Sequence, residues 1–153
     1  MLIAALLVNA DSISYRDPAS SKKKVLENLS QKLAANTTAT TAEKIFQVLL
    51  ERERLGSTGL GKGVAIPHAR VPGLTHTIAA MLTLENPVAF ESADNQPIDI
   101  AFGLLVPEED TDHHLQHLSR LVALFRDPEI CDKIRHADSA EDIFELLLSI
   151  DDD

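Results

Sequence analysis

The stretch Gly56-Ser57-Thr58-Gly59-Leu60-Gly61-Lys62-Gly63-Val64-Ala65-Ile66-Pro67-His68-Ala69-Arg70 constrains this chain more than any other. It holds four of the six glycines in 153 residues. Glycine admits positive φ and close backbone approach, so a loop this rich in it can fold tightly against a site. Val64-Ala65-Ile66 is too short and too β-branched for a helix and reads as a strand. Pro67 fixes its own φ, lacks an amide donor and ends regular pairing. His68 is thereby held on a stiff backbone at a strand end, which is a good way to aim an imidazole.

Gly56 to Lys62 also matches the first seven positions of the phosphate-binding pattern G-x-x-x-x-G-K-[ST]. The eighth position is Gly63, so the hydroxyl that would hold Mg²⁺ is missing. Such a loop also needs a strand before it and a helix after it, and here the expected order is the reverse. A nucleotide site is therefore not expected, and neither is any other cofactor.

Length suits one domain spanning 1–153, with enough chain for a real hydrophobic core. The net charge of −10 speaks against a nucleic-acid binder, since Lys22-Lys23-Lys24 is the only basic cluster. Part of the acid lies in the tail 151–153, read as a solvated end. Met1 to Val8 is apolar but lacks a charged leader and is too short to span a bilayer. It reads as a strand or short helix packed on the domain. A single cysteine, Cys131, excludes an internal disulfide and suits a reducing compartment. These features predict a cytoplasmic protein with no membrane insertion.

The helix signals are regular. Ser20 or Ser21 can cap a helix carrying Val25, Leu26, Leu29 and Leu33 on one face. Thr40-x-x-Glu43 reads as a capping box before Ile45, Phe46, Leu49 and Leu50. Gly56 is placed to end that helix, with Arg52 and Arg54 in its last turn. Thr77 to Leu84 and Pro97 to Val106 read as strands, with Val88-Ala89-Phe90 as a further candidate between them. Thr111 or Asp112 should cap a helix running to Phe125. Asp127-Pro128-Glu129 and Ser139-x-x-Asp142 open two more. Two helices, several strands and three helices predict an α/β (α+β) fold with one mixed sheet covered by helices.

Two histidine groups can carry chemistry. His68 offers a nitrogen lone pair near neutral pH. The bland alternative is a strand-end histidine satisfied by a backbone carbonyl, and local sequence leaves both open. On a helical wheel of the 111–125 segment, His114 falls inside the apolar arc, His117 at its edge and His113 outside it. A histidine facing inward from a first helical turn can reach a site beneath the positive helix end, where phosphate is favoured. His113 and His117 at i,i+4, with Asp110 or Asp112, could instead pair on zinc. No cysteine pair supports that, and no metal site is expected.

Arg52-Glu53-Arg54-Leu55-Gly56-Ser57-Thr58-Gly59-Leu60-Gly61 followed by Gly63-Val64-Ala65-Ile66-Pro67-His68 resembles the signature of mannitol/fructose-type enzyme IIA domains of the bacterial phosphoenolpyruvate-dependent phosphotransferase system. It is most similar to the nitrogen-regulatory branch, enzyme IIA-Ntr. The likeness runs from about Ser21 to Leu148, with 1–20 matching poorly. Ala69 departs from it, since that branch usually has glycine after the histidine and alanine is more familiar in fructose-type relatives. The resemblance implies a mixed sheet with helices on both faces. It also implies that His68 accepts a phosphoryl group on Nε2, with Nδ1 held by a hydrogen bond. His114 matches the second active-site histidine and would bind phosphate. Arg52 matches an arginine whose fork of donors would neutralise phosphohistidine. Ser57 and Thr58 could offer further hydroxyls.

The function this resemblance implies is a phosphocarrier, charged by a phosphohistidine donor like HPr or its regulatory homologue NPr. Its phosphorylation state would be read by a transporter or sensor kinase. The alternatives are a sugar-specific enzyme IIA that passes phosphate to an enzyme IIB, and a binding module without chemistry.

Overall fold

In the computed structural model, residues 3–109 and 111–151 are described. The chain runs α1 (Ile3–Leu7), a 3-10 turn (Ala10–Ser12), β1 (Ile13–Asp17), α2 (Lys22–Ala34) and α3 (Ala42–Leu55). Then come β2 (Gly59–Gly61), β3 (Val64–Ala65), β4 (His68–Val71), β5 (Ile78–Val88) and β6 (Ile98–Pro107). Three helices finish it: α4 (Thr111–Phe125), α5 (Pro128–Arg135) and α6 (Ala140–Asp151).

The six strands form one mixed sheet in the order β1-β5-β6-β3-β2, with β4 also paired to β6. β5 and β6 are antiparallel, whereas β1 on β5, and β3 and β4 on β6, are parallel. β6 is buried on both faces. Ile100, Phe102, Leu104 and Val106 join a cluster with α1, α4, α5 and α6. Ile98, Ala101 and Leu105 join another with α2 and α3. Two apolar faces need two helical covers, which is why the sheet lies between them. Gly103 lets α2 close in, since a Cβ there would stand 3.2 Å from Leu29.

Caps set the helix starts. Ser21 Oγ accepts from Lys24 N, Asp127 Oδ1 from Glu129 N, and Ser139 Oγ from Asp142 N. The expected capping box is displaced by one residue: Thr41, not Thr40, caps α3 by accepting from Lys44 N. Thr111 is already the first residue of α4 and therefore not its cap; Asp110 lies outside the described residues.

Three strands went unread in the sequence. β1 lies in the segment expected to match poorly. Tyr15 breaks its apolar pattern, yet its hydroxyl donates to Ala137 O at 2.8 Å. β2 is hidden by its glycines. β4 begins immediately after Pro67, so His68 opens a strand where the sequence suggested that one ends. Val88 is the last residue of β5, and Ala89 and Phe90 lie beyond it, so 88–90 is not a separate strand.

Candidate functional site

β3 and β4 lie one after the other along the same edge of β6, broken at Pro67. Val64 and Ala65 register on Ile100 and Ala101, and His68 to Val71 on Leu104 to Pro107. Pro67 still accepts a hydrogen bond from Leu104 N through its carbonyl (2.9 Å). Both segments run parallel to β6, so the break interrupts the pairing without detaching the chain from the sheet.

His68 Nδ1 lies 2.8 Å from the carbonyl oxygen of Ile66. A carbonyl only accepts, so Nδ1 carries the proton and Nε2 keeps its lone pair. Burial pushes the imidazole below its ordinary value of 6.5. The Ile66 bond opposes this, the Arg52 charge adds to it, and the Glu53 charge again opposes it. The ring is therefore neutral at neutral pH, with one nucleophilic nitrogen.

A cavity of about 490 Å³ opens beside this ring. Val48, Glu51, Arg52 and Leu55 line it from α3, His68, Ala69 and Arg70 from β4, and His114 from α4. The site thus stands at the sheet edge, where a helix covering one face ends and a helix covering the other begins. His114 is buried, its ring centroid 5.7 Å from that of His68 with the planes tilted by 42°. Arg52 is half-buried and donates from Nη1 to Gly56 O at 2.9 Å, which fixes the guanidinium at the loop entrance. Arg70 is a residue that the sequence reading missed. Two positions beyond His68 on one strand, it shares that side of the strand, a signal that the unrecognised strand concealed.

Ser57 and Thr58 do not line the cavity. Ser57 Oγ donates to Phe90 O (2.8 Å) and accepts from Gly59 N (3.1 Å). Thr58 is buried, with its amide 3.2 Å from the Glu53 carboxylate and its hydroxyl also donating to that group. Both hydroxyls shape the loop. Glu53 was likewise unread, although an acid in the last turn of a helix opposes the dipole and so asks for a partner. Its partners are Thr58 and Lys22, whose Nζ lies 3.0 Å from Glu53 Oε2.

His117 is half-buried and Arg54 exposed. The side chain of His113, and all of Asp110, lie outside what is described. Among the described residues no group of three His, Cys, Asp or Glu side chains could hold a metal ion, and no helix is long and apolar enough to cross a membrane. The stretch that mimics a nucleotide loop is a short hairpin of β2 and β3, turning through Lys62 and Gly63 at positive φ.

Residues 6–150 match the family model for the phosphoenolpyruvate-dependent sugar phosphotransferase system, EIIA 2. The match reaches well into the segment expected to lie outside the likeness. A "Nitrogen regulatory protein" of Pseudomonas aeruginosa is 40% identical over 87% of this chain and 86% of its own length. One from Bradyrhizobium diazoefficiens is 40% identical over 92% of both. The crystal structure of nitrogen regulatory protein IIA-Ntr from Neisseria meningitidis superposes with a TM-score of 0.90 at 35% identity, covering 96% of this chain and 99% of that one. The IIA mannitol structure from Escherichia coli, at 22% identity and a TM-score of 0.76, shares the fold. A half-buried histidine beside a buried one at the broken edge of a mixed sheet thus comes with a family match over nearly the whole chain, and the chain belongs to the EIIA type-2 family of the phosphotransferase system.

Proposed function

We propose that this protein is a regulatory phosphocarrier that takes a phosphoryl group onto His68 Nε2 from a phosphohistidine carrier protein of the HPr/NPr kind. The single observation that carries the reading is the His68 Nδ1–Ile66 O bond, which leaves Nε2 as the free lone pair in a cavity shared with His114 and Arg52.

The transfer balances without a cofactor. The Nε2 lone pair forms the new N–P bond while the donor's N–P bond breaks, and its electron pair returns to the donor imidazole. The Nδ1 proton stays on His68, so positive charge develops in that ring. The Ile66 carbonyl and the Glu53 carboxylate favour this charge. Arg52 and His114 are the groups positioned to receive the phosphoryl oxygens, an electrostatic role in a partly dry site.

In the cytoplasm, the output would be a change of partner. A dianionic phosphoryl group replacing a neutral imidazole alters an interface that Leu55, 85% exposed, and Leu115, 61% exposed, make partly apolar. A transporter or sensor kinase is the expected reader, in keeping with relatives named nitrogen regulatory proteins. The second reading is transfer to a sugar enzyme IIB. Ala69 favours it, as does 28% identity to the mannosylglycerate-specific EIIABC component of Escherichia coli, although the chain spans only 23% of that protein.

The test is intact mass or Phos-tag electrophoresis after incubation with phosphoenolpyruvate, enzyme I and the carrier. One acid-labile phosphoryl group is expected on wild type and none on His68→Ala. Normal labelling of His68→Ala would overturn the proposal. Fast, specific transfer onward to a sugar IIB would overturn only the regulatory output.

A further inference from the structure

Glu53 carries a charge on a side chain only 2% exposed, at the root of the loop that leads to His68. The geometry points to Glu53 as a positioning residue for the acceptor: its carboxylate fixes Thr58, Thr58 fixes Ile66, and Ile66 holds the Nδ1 proton of His68. The inference rests on the phosphocarrier reading above.

Each link is a hydrogen bond. Thr58 donates to Glu53 from both its amide and its hydroxyl. The Thr58 carbonyl accepts from Ile66 N at 3.0 Å. The Ile66 carbonyl accepts from His68 Nδ1 at 2.8 Å. Ile66 precedes Pro67, which restricts its backbone and stiffens the last link. At the far end, Lys22 Nζ lies 3.0 Å from Glu53 Oε2, 3.5 Å from Phe90 O and 4.7 Å from the Phe90 ring centroid. The chain of contacts thus begins on α2 and ends at the acceptor.

A neutral side chain of the same shape cannot do this. Thr58 presents two donors and Lys22 a third, so the group between them must be acceptor-only. A carboxylate meets that demand, whereas an amide would turn its own NH₂ toward a donor. The charge has a second effect. Glu51, Arg52 and Glu53 of α3, Arg70 of the same strand and His114 of α4 are the titratable and charged groups around His68. Glu53 favours a cationic ring and Arg52 disfavours it. Phosphorylation with the Nδ1 proton retained makes that ring cationic, so Glu53 offsets the Arg52 charge during transfer.

The experiment is ring ¹⁵N and ¹³C NMR of His68 across pH in the unphosphorylated full chain, with phosphoryl uptake rates beside it. Glu53→Gln should lower the His68 titration midpoint and reduce the Nδ1–H tautomer. Its uptake at neutral pH should slow about tenfold or more, the scale of a lost charge-assisted contact. Glu53→Asp, which keeps the charge, should restore the midpoint toward wild type. A plain structural staple would leave both ring observables in place, and a Glu53→Gln ring that behaves as wild type overturns the proposal. Should Glu53→Gln fail to fold, Thr58→Val decides: a wild-type Nδ1–H tautomer population overturns the positioning chain, and a reduced one with slower uptake supports it. A wild type that takes up no phosphoryl group removes the underlying phosphocarrier reading, while the ring titration still reports on Glu53.

Discussion

His68 Nδ1 lies 2.8 Å from Ile66 O, two residues back across Pro67. The contact is local, so it costs little chain entropy to form, and it decides which ring nitrogen keeps its lone pair.

Removing either neighbour of the acceptor should slow the chemistry and spare the fold. Arg52→Ala and His114→Ala each lose a contact worth about 1.5–3 kcal/mol if it acts in the transition state, or roughly 10- to 100-fold in rate. Arg52 is the more exposed of the two, and solvent screening places it at the lower end. Single-turnover transfer from phosphorylated carrier measures both. A rate equal to wild type for either variant removes that residue from the site.

The pH dependence has a definite sign. The folded state lowers the His68 value below 6.5, so the folded protein resists protonation where the unfolded chain accepts it. Stability from this group is complete above about pH 6.5 and falls as pH drops from there through the folded value. His68→Gln should therefore lose less stability than wild type between pH 7 and 5 in urea titrations. Phosphoryl uptake should persist at pH 6.5 and decline only below it. An uptake rate already halved at pH 7 by protonation would contradict the half-buried, neutral ring.

Two of the glycines, one in the loop and one beyond β4, should tolerate added bulk unevenly. A Cβ at Gly59 would stand 2.8 Å from Ser92 Cβ and 3.0 Å from Ser92 Cα, a backbone atom that cannot swing away. Gly59→Ala should cost about 1–3 kcal/mol by overpacking. Gly73 has open space around it but φ of +82°, so Gly73→Ala should cost about 1–2 kcal/mol from backbone strain alone. Of the two, only Gly59→Ala should also slow phosphoryl uptake, because Gly59 continues the loop from Thr58. Chemical denaturation with parallel uptake assays separates them.

Transfer should need neither nucleotide nor metal. Calorimetry with Mg-ATP should show no binding, and chelator treatment should leave transfer from purified phosphorylated carrier unchanged. Activity lost on chelation and restored by zinc would revive the metal reading of the α4 histidines.

The place of His68 at the cavity was legible because its signal is local: glycine density, a short β-branched run, then proline and histidine. His114 was legible because helical periodicity places it on the inward face of α4. Thr41 displaced Thr40 as a cap because adjacent threonines are interchangeable to a pattern and the cap is decided by one bond. β1 and β4 were hidden because parallel pairing is made by distant partners, β5 and β6, and neither segment alternates cleanly. Arg70 and Glu53 stayed hidden for the same reason. One needs the unseen strand to acquire a direction, and the other needs Thr58 and Lys22, which only the folded chain brings together.

The broken edge of β6 also separates two properties that protein engineers usually find entangled. The aim of His68, the proposed acceptor, is inherited from β6, which is buried almost throughout and accommodates little change. Leu55, which lines the cavity, and the exposed Leu115, next to His114 in the chain, ride on the last turn of one helix and the first turns of another. Neither belongs to the β4–β6 pairing, so exchanging their side chains should leave the registry that holds His68 intact. The proposed recognition surface should therefore be open to rewriting while His68 keeps its place.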